Sequence, residues 1–178
     1  MNQEFKRFLT VWQKVMQAKG GIKLPERADI SISEFATWLP SMMIVKWDFD
    51  VPACEVLYAG SRIDDLFATD VKSAPLGSFF SKSAQIIKHV EDTKRGVSEL
   101  EGVYVASEVL LQGGNKLECR QLRLPLAPED SLPVTVSLFE SNLEDLRSRG
   151  DVPKQEIREG QSLKAMVSDT QFVPLFDD

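Results

Sequence analysis

The chain has 178 residues, of which 43% are hydrophobic, so its length and composition suit one domain with short extensions. Its formal net charge is −6 and no run of Lys and Arg forms a basic stripe, which argues against nucleic-acid binding. No stretch approaches the ~20 apolar residues of a membrane span and none resembles a signal peptide, so we expect a cytoplasmic protein with Cys54 and Cys119 reduced.

The first segment, residues 1–23, contains a predicted amphipathic helix over residues 3–18, which Gly20 and Gly21 end. Its apolar residues recur at intervals of three and four and form one stripe: Phe5, Phe8, Leu9, Trp12, Val15 and Met16. A stripe this apolar must be covered either by the chain's own sheet or by a second chain. Because a symmetric pair would bury both stripes together, we expect a homodimer with these six residues at its interface.

The second segment, residues 24–140, begins with an extended Leu24-Pro25 and a charged turn that contains Arg27 and Asp29. Ser31 and Glu34 form a capping-box pattern that predicts a short helix. The charged pair could anchor a ligand, or it could clamp the linker to the edge of a sheet. No nucleophile and base lie nearby, so we favour the structural clamp.

The rest of this segment predicts a sheet with helices on one face. Residues 43–49 and 54–60 read as a hairpin, residues 81–95 as a long helix ended by Gly96, and residues 102–111, 116–124 and 132–139 as a meander of three strands. Five strands joined in this way make an antiparallel sheet in an α+β fold. The last segment, residues 141–178, predicts a helical extension at residues 142–149, irregular structure over residues 150–170 and an apolar end at residues 172–176.

The motifs resemble those of a known family. Leu24-Pro25-x-Arg27-Ala28-Asp29-Ile30 is followed by Leu39-Pro40, Tyr58-x-Gly60, Leu76-Gly77 and Leu124-Pro125-Leu126. In this order and spacing, over residues 8–140, the chain resembles the single-domain PAS-like regulatory proteins of alphaproteobacteria. It departs from them at Ile32, where the family usually has proline at the first helical position, a change with little structural cost.

The resemblance implies a PAS fold and a signalling module without enzymatic activity or cofactor. The sequence contains no kinase, cyclase or DNA-binding motif, so we expect the module to act through a protein partner, such as a signalling kinase or another PAS protein. The alternative is a small-ligand sensor with a pocket between sheet and helices. Its candidate lining residues, which could equally fill a core, are Tyr58, Phe67, Phe79, Phe80 and Cys119.

Two residues suggest cofactors that we do not expect. His89 lies on the helix that carries the axial histidine of haem-binding PAS domains, but it projects away from the apolar stripe of Ile86, Ile87 and Val90 and is expected to be solvated. Cys119-Arg120-Gln121-Leu122 superficially resembles a flavin-photosensor motif but falls on a predicted strand and lacks the preceding Asn. With one histidine and two distant cysteines, the chain offers little material for a metal site.

Overall fold

The structure is a computed structural model that describes residues 1–21, 23–51, 53–67, 71–72, 83–110, 116–148 and 166–175. Its strands, in chain order, are β1 (Met42–Asp48), β2 (Ala53–Ala59), β3 (Glu101–Leu110), β4 (Lys116–Glu129), β5 (Leu132–Ser141) and β6 (Met166–Pro174). Its α-helices are α1 (Gln3–Ala18), α2 (Ile32–Phe35), α3 (Ser61–Phe67), α4 (Ser83–Ser98) and α5 (Leu143–Ser148). Short 3-10 turns cover Arg27–Asp29 and Leu39–Ser41.

The described strands form one sheet in the order β2-β1-β5-β4-β3-β6, and every neighbouring pair is antiparallel. The hairpin and the three-stranded meander predicted from the sequence are therefore confirmed. The prediction for the last segment is wrong in part, because β6 begins at Met166 and adds a sixth strand beside β3. The rest of that predicted irregular stretch, residues 150–165, lies outside the described residues.

Helices cover both faces of the sheet. On the α1 face, α1 and α2 pack over the central strands, contacting Met42, Ile44, Leu122, Leu124, Leu126, Val134, Val136 and Leu138. On the α4 face, α4 packs over β1 through Val90, and α3 and α5 pack over β4 and β5. Successive side chains of a strand point to opposite faces, so the central strands carry buried residues on both sides.

The apolar stripe of α1 is buried by the chain's own sheet. Phe8 packs edge-on against Phe35 and Trp38 of the following turn, with ring centroids 5.8 and 5.5 Å away. The Trp12 indole Nε1 donates a hydrogen bond to the Pro125 carbonyl at 3.2 Å. The expected dimer interface is therefore wrong, because these residues already lie in or against one core: Phe5, Phe8, Leu9, Trp12, Val15 and Met16.

Local sequence fixes both ends of α1. At the start, the Asn2 side chain accepts a hydrogen bond from the Phe5 N–H at 3.0 Å and caps the helix. At the end, Gly20 and Gly21 adopt φ values of +91° and +76°, which side chains with a Cβ rarely adopt. The helix thus ends after four turns and the chain turns back toward the sheet. The apolar stripe of α1 faces β4 and β5.

We expect Trp12→Ala to lower the free energy of unfolding by about 3–5 kcal/mol, because it removes a fully buried ring and its hydrogen bond. Chemical denaturation measures the loss, with Gln17→Ala, at an exposed position of the same helix, as the control. Light scattering should give the same particle mass for both variants. A loss in W12A no larger than in Q17A, together with a smaller particle, would restore the dimer interpretation.

Candidate functional site

A group of polar side chains lies buried at the centre of the α4 face. Gln121 and Arg123 on β4 alternate with the apolar Leu122 and Leu124, which point to the α1 face. Thr135 and Ser137 on β5 lie beside them and are also buried. The middle of the α4 face is therefore polar, although apolar residues surround it.

Arg123 is the charged centre of this group and is 2% exposed. Its Nη2 donates to Gln121 Oε1 at 3.1 Å and its Nη1 donates to Thr93 Oγ1. The guanidinium carbon lies 5.2 Å from the centre of the Trp47 ring, in a cation–π contact. Burial lowers the Arg123 pKa to about 10, which leaves the side chain charged at neutral pH.

The charge of Arg123 lacks a direct counterion within the described part of the chain, where no carboxylate oxygen comes within 4.0 Å of it. The charge of Asp92 raises the Arg123 pKa only from beyond that distance. The Arg123 Nε–H is buried and has no hydrogen-bond partner among those residues. A buried cation whose direct contacts are all neutral costs several kcal/mol relative to water. The site therefore favours a negatively charged group close to Arg123.

His89 is the nearest titratable neighbour, with its Nε2 only 2.7 Å from Arg123 Nη2. Because a guanidinium only donates hydrogen bonds, Nε2 must accept and the imidazole must be neutral. Burial, followed by the positive charge of Arg123, lowers the pKa of His89 well below its usual value. The prediction that His89 is solvated is therefore wrong.

The misassignment of His89 follows from the exposed Ile87, which is 54% accessible. The side of α4 that faces the sheet instead follows Ile86, His89, Val90 and Thr93, of which the first two are partly and the last two fully buried, at the helical spacing i, i+3, i+4 and i+7. Two members of that face are polar, so hydrophobicity alone points to a wrong centre. His89 and Thr93 can be recognised as sheet-facing residues only when Arg123 is known to lie opposite them on β4.

Hydrogen bonds extend the group across three strands. Gln121 Nε2 donates to Ser137 Oγ at 2.9 Å, and Trp47 Nε1 donates to Thr135 Oγ1 at 2.9 Å. Together with the contacts of Arg123 to Thr93 and His89, they connect β1, β4 and β5 to α4. A change in the charge of this network would therefore directly affect how α4 packs on the sheet.

Of the pocket residues predicted from the sequence, the structure describes the side chains of two, Tyr58 and Cys119, and these two lie on opposite faces of the sheet. A β-bulge at Leu57 pairs Tyr58 with Ile44 and turns its ring to the α1 face, where its hydroxyl donates to the Leu39 carbonyl at 3.0 Å. Cys119 lies on the opposite face, packed with Ile63 and Leu66 of α3. Phe67 ends α3 but its side chain is outside the description, and Phe79 and Phe80 lie outside the described residues.

Neither cysteine is a suitable nucleophile at neutral pH. Burial raises the pKa of Cys119 to about 12, and burial raises the pKa of Cys54 to about 11 despite the nearby charge of Arg123. Both therefore remain thiols, whereas the reactive form is the thiolate.

Arg27 and Asp29 do not pair with each other. Arg27 Nε lies 2.8 Å from Glu129 at the end of β4, and Asp29 lies 2.5 Å from Lys19 beyond the end of α1. The 3-10 turn thus connects to the sheet edge on one side and to α1 on the other. This arrangement agrees with a structural clamp, although the half-exposed position of Arg27 limits its contribution to stability.

An open groove of about 600 Å³ lies at one end of the sheet, between α3 and α5 and over the ends of β4 and β5. Its floor is apolar and consists of Trp38, Ile63, Leu66, Leu138, Phe139 and Leu143. Its rim carries six carboxylates and two guanidinium groups, a balance of −4: Glu4, Asp65, Glu118, Glu140, Glu144 and Asp145 against Arg62 and Arg120. The sequence does not reveal this groove, because its residues come from distant segments.

The described part of the chain contains no group of three or more His, Cys, Asp or Glu side chains placed to hold a metal ion. Within the same residues, no helix is both long enough and apolar enough to cross a membrane.

Comparison with known proteins supports the fold. A family model described as PAS domain matches residues 2–138. No curated protein matches the sequence. Among the solved structures that match is a light-oxygen-voltage domain from work on a flavin analogue, which is 13% identical. The match covers 67% of this chain and 93% of that chain with a TM-score of 0.43, so the support for the fold comes from the family match alone.

The neutral His89 predicts how stability depends on pH. In the unfolded chain its pKa is about 6.5, and in the fold it is lower, so between these values the unfolded state binds more protons. The free energy of unfolding should fall as the pH drops below about 6.5, by at most about 1.4 kcal/mol per pH unit.

His89→Gln should remove most of this dependence, because His89 is the chain's one histidine and glutamine can still accept a hydrogen bond from Arg123. Urea denaturation of both proteins at several pH values between 7 and 5 measures it. Parallel pH profiles in the two proteins would show that His89 is not held neutral.

Proposed function

Since the chain belongs to the PAS domain family, we propose that this signalling module has no enzymatic activity and acts in the cytoplasm by binding a protein partner. A signalling kinase or another PAS protein suits this role. The narrower membership, in the alphaproteobacterial single-domain group, remains a prediction from the sequence motifs. A homodimer also remains a prediction, and its interface would have to differ from the buried stripe of α1.

The groove at the end of the sheet is the observation that supports a protein partner best. It combines an apolar floor with an acidic rim, and protein interfaces commonly have an apolar centre within a polar border. Its balance of −4 favours a basic partner segment with an apolar side chain that fills the floor. The floor residues belong to the core, so this surface is rigid before binding.

A second function, ligand sensing, is favoured by a separate observation. Arg123 is a buried cation without a carboxylate counterion among the described residues, and its Nε–H is unpaired there. A small anionic ligand would supply the missing charge, and its occupancy would change the position of α4 and thereby the surface available to a partner. The two functions are compatible, because sensing would regulate binding.

Affinity capture from a lysate of the organism that encodes the protein tests the binding of a protein partner. We expect wild type to retain a specific partner, and Asp65→Lys with Asp145→Lys, both exposed on the groove rim, to lose it. The matched control, Asp50→Lys with Glu91→Lys, changes the net charge equally at exposed positions elsewhere and should retain the partner. Equal retention by both double variants would argue against the groove, and no partner for any form would argue against the function.

Native mass spectrometry tests the sensing function. Wild type and Arg120→Met, an exposed arginine on the same strand, should carry the same bound small anion, whereas Arg123→Met should carry none. Circular dichroism confirms that each variant is folded. A wild-type mass that equals the bare chain under native conditions would contradict ligand sensing.

A further inference from the structure

The strand β6 covers one edge of the sheet and lies outside the part of the chain that the family model matches. The family match ends at residue 138, whereas β6 spans Met166–Pro174 and pairs with β3 over eight residue pairs. Without β6, the outer edge of β3 would present a row of unpaired N–H and C=O groups. Such an edge is a template for an added extended strand.

Side chains show what this edge accepts. The Leu175 side chain, 1% exposed, enters the core beside Gly102, where an added Cβ would lie 3.4 Å from Leu175 Cδ2 and 3.1 Å from Leu124 Cδ2. The Arg95 guanidinium lies 3.8 Å from the centre of the Phe172 ring. Gln13 of α1 donates to the Leu175 carbonyl at 3.0 Å. The edge therefore selects an aromatic side chain and, three residues later, an aliphatic one.

The chain's own tail is an imperfect occupant. Thr170 Oγ1 is buried and has no hydrogen-bond partner among the described residues, an arrangement that weakens docking. The pairing of β3 with β6 is also irregular between Ala106 and Ser107. An extended segment with valine at the position of Thr170 would leave no hydroxyl unpaired and would dock more tightly.

We propose that the edge of β3 is a docking site for an extended segment of a protein partner, and that β6 occupies it until a better-fitting strand replaces it. The segment carries a β-branched apolar residue, an aromatic residue and an aliphatic residue at the positions of Thr170, Phe172 and Leu175. This inference rests on the proposed function and names the partner's chemistry. Because the tail is tethered, at an effective concentration on the order of millimolar, a partner must dock more tightly than the tail does.

Peptide binding to the full chain tests the proposal. The probe is a fluorescent peptide with the sequence of residues 166–175 and valine at position 170. Leu175→Asp, which loosens the tail, should bind the probe at least about tenfold more tightly than wild type, since it removes the tail's buried anchor. Thr170→Val, which tightens the tail, should bind it more weakly than wild type. Equal affinity in all three folded proteins would overturn the proposal.

A locked variant keeps the test decisive even if L175D fails to fold. Ala106→Cys with Asp169→Cys places two cysteines at paired positions of β3 and β6, which suits a disulfide. The oxidised protein should lose probe binding and the reduced protein should regain it, whereas binding to the oxidised form would overturn the proposal. Affinity capture with the oxidised and reduced forms of this double variant also distinguishes the docking site from the proposed function. A captured partner that ignores the lock contradicts the docking site alone, and the absence of any captured partner contradicts the proposed function alone.

Discussion

The sheet has buried side chains on both of its faces, and the rest of the structure depends on covering both. Leu122, Leu124 and Leu126 of β4 point to one face, and Leu117 and Cys119 point to the other. A sheet of this kind cannot leave one side in water without exposing a large apolar area. The leading helix α1 is therefore a structural layer of the domain. Its aromatic stripe is complementary to the apolar face of β4 and β5.

The opposite face has a different character, because its centre is polar and charged. Arg123 joins the central strands to α4 through Thr93 and the neutral His89. In the low dielectric of the interior, a second positive charge at His89 would be strongly unfavourable. The attachment of α4 is thus sensitive to charge, whereas the attachment of α1 depends on apolar packing.

The sequence predicts five strands, the long helix and the stripe of α1, because each has a clear local period. What covers the stripe is a tertiary property, and no local period could reveal that the sheet itself supplies the partner. Simple alternation along β2 would place Tyr58 on the same face as Val56, but a single extra residue at Leu57 reverses the alternation. β6 is missed because its stability comes from the open edge of β3, not from its own alternation. The family resemblance is confirmed as PAS, whereas Tyr58 and Cys119, the two predicted pocket residues whose side chains are described, lie on opposite faces.

Native-state hydrogen exchange of the full chain tests most directly whether α1 belongs to the core while β6 is replaceable. Amides that open only with global unfolding exchange at the free energy of unfolding, and amides of detachable elements exchange at lower values. The α1 amides should exchange together with those of β4 and β5, and the β6 amides should exchange earlier. If α1 exchanged before β6, or if β6 were protected as fully as β4, the division into a fixed core and a replaceable edge strand would be wrong.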